Sequence, residues 1–522
     1  MLRGYEIVAW SLLGVSVLGA DVALQPVKLV GLDAESAVQG WGDLGMNCSV
    51  EGKPLMVGDR KFEHGLGTHA VSEIVYMLNG QFEKFESWVG LDKEVRNYAD
   101  AAVVFQVFAD GNKLFDSDVV KADTPAKRVS VSVAGAKQLK LVVTDGGNGT
   151  HADHADWGEP VLLVSAEQNA ALEEARKQEE KLLATPVECA VTLKVLAVHP
   201  EPVIKKGDPG TEDNKYGFEG GCMIKHQGVY HMFTAERFRD PYDVKMRLGH
   251  WTSPDGLKWA RPDTIRESSA EGNGMDLRAS IWAPMPFYEE KTQLWNMYYV
   301  AYRSKGGDNS GDWFGNYAGR IVRSVSQTKG PDGLKGPWTD ICIALEPEWE
   351  PWSRNPSQPW EGLQGTDSIS PPYEARGKWY AFYGSAQMQN PSRCNPKYPR
   401  WSVGLAEAPA AIGPWKRRAK GNPMPFGGFA ENPIVTKLQD GSFVMVCDSG
   451  FIGYAWSPDG VRWSKARNIE VPKGMTRWWD GGTRTPLGCV LESDGTYIIY
   501  FMAHRKGVNW QELGFVRVKD ER

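Results

Sequence analysis

Three carboxylates recur at matching places in the later part of this 522-residue chain: Glu219 in GFEGG, Asp367 in GTDSISPP and Glu431 in AENPIV. Carboxylates gathered at one place can divide acid/base work. One, kept protonated, delivers a proton to a leaving oxygen, while another, kept ionised, activates water or attacks directly. Around them stand Arg237, Arg278, Arg303 and Arg484, whose planar forks suit carboxylate or sulfate groups. Trp282, Trp478 and Trp479 offer flat faces on which a ring can stack, and Asp480 in RWWDGGTRTP is a further acidic candidate. The competing reading is that the arginines pair with Glu219, Asp367 or Asp480 and that the tryptophans pack a core.

The elements that must position these residues are an internal repeat. Five times a Pro- or Gly-containing turn leads into a strand, a polar turn, an aromatic-rich strand and a third strand: Gly220–Arg237, Ser280–Arg303, Asp367–Ala386, Glu431–Gly450 and Thr483–Arg505. Four units close on a turn ending in tryptophan, SPDGLKW, SPDGVRW and two copies of GPW. The fifth ends the chain in LGFVRV, which the strand near Val191–Val198 can join. Five four-stranded units over 189–522 predict a five-bladed β-propeller, a fold that leaves only short, protected edges. Its innermost strands line a central funnel, and their first residues hold the three carboxylates. The Trp- and Pro-rich stretch Glu346–Gly365, with Trp349, Trp352 and Trp360, leads into Asp367 and is expected to form a rim.

The remainder reads differently. Of 21 tryptophans, four precede Cys189 and 17 follow, which separates two dissimilar modules. Residues 27–164 alternate apolar runs with Gly, Asn and Asp punctuation, the pattern of an antiparallel β-sandwich. Residues 165–188 hold AEQNAALEEARKQEEKLLA, almost all strong helix formers, and predict a helical linker ended near Pro186. The fold class expected is therefore all-β, a sandwich joined by a helix to a propeller. Residues 1–20, with Arg3 and an apolar run from Ile7 to Leu18, read as a signal peptide; this predicts a secreted or periplasmic protein with no membrane span after cleavage. Formal charge is 59 − 65 = −6, so no nucleic-acid or anionic-membrane partner is indicated. The seven cysteines lack CxxC spacing and read as mostly buried single thiols, with one disulfide left open. HADHADW pairs His151 and His154, yet these read as loop contacts, and neither metal nor cofactor is expected.

Two resemblances sharpen this. The segments GWGDLGMNCSVEGKPL, GLGTHAVSEIVYML, VGLD and LVVTDGGNGTHADHADWGEPVL resemble the carbohydrate-binding module known as NPCBM, a galactose-binding-like sandwich, over residues 30–165. That implies attachment to an enzyme acting on glycans. Residues 199–520 resemble, in layout, the five-bladed-propeller glycosidases: family 43 arabinofuranosidases and xylosidases, family 32 fructosidases and family 117 anhydro-galactosidases. The resemblance rests on SIWAP, the GPW turns and the carboxylates opening blades one, three and four. It implies Glu219 as base or nucleophile, Asp367 as the group that orients the sugar and raises the acid's pKa, and Glu431 as general acid. Blade one in those families carries Asp, where this chain has Glu219 followed by two glycines. The function expected is an exo-acting glycoside hydrolase whose partner is a glycan substrate. A metal-dependent carbohydrate deacetylase and a non-catalytic glycan-binding protein are the alternatives.

Overall fold

The computed structural model describes residues 24–522 apart from 33, 43, 239–244, 272–273, 305–316, 348–359, 363, 387–400, 419–420 and 427. The proposed signal peptide, Trp349, Trp352 and Cys394 lie outside the described residues. The chain divides into two compact units, Met1–Glu179 and Glu180–Arg522.

The first unit holds two antiparallel sheets. One runs in the order Lys127–Ser132, Lys84–Leu91, His154–Val164, Gly65–His69, Gly45–Met46, with Gln25–Lys28 beside His154–Val164. The other runs Asn112–Asp116, Ala102–Ala109, Gln138–Thr144, Ser72–Met77, Ser36–Val38, with Val120–Lys121 beside Ala102–Ala109. Period-2 alternation sends every second side chain inward, as in Ala102–Ala109 and Gln138–Thr144. The core centres on Trp157, fully buried with Phe105 edge-on to it at 5.2 Å. The helix expected after the sandwich is present at Ala166–Ala184. Among the described residues no helix is long and apolar enough to cross a membrane.

The second unit consists of five antiparallel sheets in chain order. Sheet one is Phe218–His226, Val229–Arg237, Met246–Ser253 and Ala260–Glu267. Sheet two is Ser280–Glu289, Leu294–Arg303, Tyr317–Lys329 and Trp338–Leu345. Sheet three is built on Thr366–Ile369, Lys378–Ala386, Trp401–Ala408 and Lys416–Arg417. Sheet four is Glu431–Lys437, Phe443–Asp448, Ile452–Ser457 and Arg467–Asn468. Sheet five is Gly482–Leu491, Tyr497–His504 and Glu512–Glu521, completed by Thr192–Val198. That last strand pairs antiparallel with the end of the chain, Thr192 opposite Glu521. The first strands of successive sheets pack side by side, and that of sheet five packs beside that of sheet one.

The tryptophan turns explain themselves. In SPDGLKW, Ser253 Oγ accepts from Gly256 N at 2.8 Å, Asp255 accepts from Leu257 N and Lys258 N, and Trp259 Nε1 donates back to Gly256 O at 3.1 Å. Ser457, Asp459 and Trp463 repeat the pattern in SPDGVRW. Each is an Asx/Ser-capped turn folded from local sequence. Cys222, Cys447 and Cys489 are buried, Cys48 and Cys189 partly so and Cys342 exposed, and none of these six is in a disulfide.

Candidate functional site

One backbone device recurs in the first strand of every sheet of the second unit. The pairing with the second strand slips between Glu219 and Gly221, Trp282 and Met285, Thr366 and Ser368, Glu431 and Ile434, and Thr483 and Pro486. Such bulges leave a residue unpaired and re-aim its neighbours' side chains. Gly220, Ala283 and Asn432 accordingly take φ of 55°, 50° and 51°. Proline has no N–H to offer a ladder and is at home at a bulge, which accounts for Pro284, Pro433 and Pro486 in IWAP, ENP and TRTP. Gly221 must be glycine: its φ is 127°, and a Cβ there would run into the carbonyl of Phe233.

The bulges gather the chemistry. One cavity is lined by Glu219, Trp282, Asp367, Glu431 and Arg484, one bulge residue from each of the five first strands. Arg237 donates to Glu219 Oε2 at 2.9 Å, and Trp282 Nε1 donates to the same oxygen at 3.2 Å. The Arg237 guanidinium lies 5.2 Å from the Trp282 ring centroid. Arg484 stands among three carboxylates, 3.8 Å from Glu219, 3.6 Å from Glu431 and 3.8 Å from Asp448.

These neighbours give the acids different charge states. Burial pushes Glu219 up, but the Arg237 and Arg484 charges and the Trp282 hydrogen bond outweigh it and hold its carboxyl below the ordinary range. Asp367 lies well above the carboxylate range, through burial first and the neighbouring Glu431 charge second. Both its carboxyl oxygens are buried without a well-formed hydrogen bond among the described residues. Gly384 makes room for it, because a Cβ there would meet Asp367 Oδ1. Burial also raises Asp448, with Arg484 opposing.

The remaining expected residues lie elsewhere. Trp478 and Trp479 are buried beside Phe501, one stacked on its ring and the other edge-on, so they pack the core and do not line the cavity. Asp480 accepts from Lys506 N at 2.7 Å and ties a surface loop. Arg278 is held by Asp340 at 2.6 Å and by the Tyr299 hydroxyl at 3.0 Å, away from the cavity lining. Trp360, expected on a rim, is buried against Tyr383.

Residues absent from the expected set also line the cavity: Tyr302, Gln364, Trp401, Asn432 and Thr485. Tyr302 donates to the Asp367 carbonyl at 3.1 Å, and Asn432 Nδ2 donates to Thr485 Oγ1 at 3.3 Å. Asp448 sits directly across the ladder from Glu431. Its signal was its place at the end of a second strand, visible only once the pairing is known.

In the first unit, the two histidines of HADHADW part company. His151 bonds Asp100 at 2.9 Å on the surface, whereas buried His154 bonds Glu94 at 2.7 Å and stacks on Trp41 at 5.6 Å. Trp41 is 53% exposed, and His69 closes the cluster 5.4 Å from His154. Glu51, Glu94 and His154 lie close enough to share an ion, but Lys53 already bridges the two carboxylates at 2.5 and 3.5 Å.

Residues 25–163 match the NPCBM/NEW2 domain family, so the first unit carries that glycan-binding type of module. The chain is 33% identical over 133 residues to a protein named "Putative endo-alpha-N-acetylgalactosaminidase" from Renibacterium salmoninarum, covering 24% of this chain and 9% of that one. It is 31% identical over 120 residues to "Alpha-1,3-galactosidase B" of Akkermansia muciniphila, covering 22% of this chain and 15% of that one. The chain thus spans only a small part of these relatives' length. A family 117 glycoside hydrolase from the marine bacterium Zobellia galactanivorans is similar over 64% of this chain and 92% of its own, at 14% identity and a TM-score of 0.39. At that likeness it says nothing of chemistry here.

Proposed function

We propose that the second unit is a five-bladed β-propeller glycoside hydrolase, and that the first unit holds it on glycans outside the cell after export. The observation that carries this is the cavity itself. Three carboxylates from three repeats meet there in contrasting electrostatic settings, Glu219 between two guanidiniums and Asp367 buried beside Glu431. Hydrolysis of an acetal needs that contrast, a group that stays ionised and a group that carries a proton. Glu219 acts as base or nucleophile. Glu431 acts as the general acid that passes a proton to the leaving oxygen, with Asp367 buried beside it. Asp367 resists ionisation and so favours return of the proton. Trp282 and Trp401 shape the sugar's seat.

The five sheets, the pairing of Thr192–Val198 with the chain's end and the side-by-side first strands support the propeller reading. In the first unit, exposed Trp41 beside His154 and Glu94 supports a seat for one sugar ring. The names of both relatives contain galactose-configured sugars, and we assign that class to the module. The test is release of sugar by the purified full chain from aryl glycosides and from host and algal glycans, beside the Glu431→Gln variant. Loss of the acid should slow release about 10²–10⁴-fold. Equal release by the two proteins would sink the acid assignment, and no release from any glycan would favour a purely binding role.

A further inference from the structure

At the last ladder position before its bulge, each first strand faces one buried residue of the second strand. Sheets one, two, three and five place Ala235, Val300, Ser385 and Ala503 there, all uncharged. Sheet four places Asp448, only 2% exposed, opposite Glu431. A buried carboxylate is costly where alanine or serine serves in the other repeats, and like charges facing each other across a ladder repel. One of its oxygens has a local use, since Oδ1 accepts from Gly450 N at 2.9 Å and shapes the turn. The other, Oδ2, faces Arg484.

The two ends of that guanidinium meet unequal company. Nη2 lies 3.8 Å from Glu219 Oε1, whereas Nη1 lies 3.6 Å from Glu431 Oε2 and 3.8 Å from Asp448 Oδ2. An arginine shared by Glu219 and Glu431 alone would favour ionisation of both, yet acid/base chemistry needs one of the two to carry a proton. A charge on Asp448 corrects one side only. It offsets Nη1 and repels an ionised Glu431 directly opposite, while Glu219 keeps Nη2 and Arg237. The other titratable groups around Glu431 are Asp367 from sheet three, Tyr302 from sheet two and Glu219 from sheet one. Beside Asp448 stands the buried Cys447 thiol of its own strand, which burial keeps neutral. We propose that Asp448 is a positioning residue for the acid: through Arg484 and across the ladder, its charge keeps Glu431 protonated while Glu219 stays ionised. The inference rests on the reading of Glu431 as the general acid.

The experiment titrates Glu431 directly and needs no substrate. The full chain is labelled with glutamate carrying carbon-13 in its side-chain carboxyl, and the Glu431 resonance is identified by its loss in Glu431→Gln. In Asp448→Asn the Glu431 midpoint should fall by about 1 or more on the pH scale, the effect of removing a charge at this range. Asp448→Ser, which copies the residue of sheet three, should do the same, and Asp448→Glu should stay near the parent. A second readout is the pH profile of kcat/KM for the methyl glycoside of the sugar the parent releases, whose poor leaving group depends on the acid. Its alkaline limb should move to lower pH by the same amount in both neutral variants. The proposal is overturned if the midpoint is unmoved in both, or if Asp448→Glu moves it as far as Asp448→Asn. It is also overturned if neither neutral variant folds, which would make Asp448 an acid of structure alone. Sugar release with an unmoved alkaline limb overturns the proposal and leaves the hydrolase reading in place. A midpoint that moves in a chain releasing no sugar keeps the hold of Asp448 on Glu431 and removes the hydrolase reading.

Discussion

Arg484→Met tests the electrostatics of the cavity most directly. The guanidinium lies 3.6–3.8 Å from Glu219, Glu431 and Asp448, so each attraction is worth about 4 kcal/mol gross at an effective dielectric near 20. Much of that offsets the cost of burying the charges, and deleting one partner of such a cluster typically costs about 3–5 kcal/mol net. The sign with pH follows from Glu219. In the parent its pKa lies below the ordinary glutamate value of 4.5, so its ionised form contributes stability above that pH, lost as pH falls through the depressed pKa. Without Arg484, only Arg237 and the Trp282 hydrogen bond oppose burial, and the Glu219 pKa rises. Folding then favours protonated carboxyls, so the variant's deficit should be largest at pH 7–8 and shrink as pH drops toward 5. The assay is denaturant unfolding of the second unit, followed by tryptophan fluorescence, at several pH values. A deficit below about 1 kcal/mol, or one that does not change with pH, would refute the account of Arg484 as a charge that holds Glu219 ionised.

Gly221→Ala should destabilise the second unit by roughly 2–3 kcal/mol, because alanine at φ 127° is strained and its Cβ meets the Phe233 carbonyl; a melt within 1 °C of the parent would refute the bulge argument. Trp41→Ala should abolish retention of the chain on immobilised galactose-bearing glycans while leaving release from small aryl glycosides unchanged; retained binding would place the module's sugar seat elsewhere. Asp156, almost fully buried beside Asp92, has a pKa raised well above 3.8 by burial first and that carboxyl second. Its protonated form suits the fold, so the parent should lose stability as pH rises through that pKa and Asp156→Asn should not; parallel pH–Tm curves would contradict this.

The division into a glycan-binding sandwich and a repeat of strand units was legible in the sequence because both rest on local rules. Period-2 alternation sets the strands, and Ser, Asp and Gly set the turns, as the matching hydrogen bonds of SPDGLKW and SPDGVRW show. The convergence of Glu219, Asp367 and Glu431 was legible too, because each occupies the same place in its repeat. What sequence could not decide was which aromatic and basic side chains reach the cavity. Trp282 and Trp478 look alike in sequence, yet a bulge turns one toward Glu219 while Phe501 packs the other. Arg278 and Arg484 differ only in what lies across space, Asp340 for one and three cavity carboxylates for the other. Side-chain destinations depend on pairing register and on neighbours far along the chain, and those exist only once the sheets have assembled. Charge follows the same rule: a carboxyl's type is written at its position, but its protonation is set by the burial and guanidiniums that the tertiary structure brings to it.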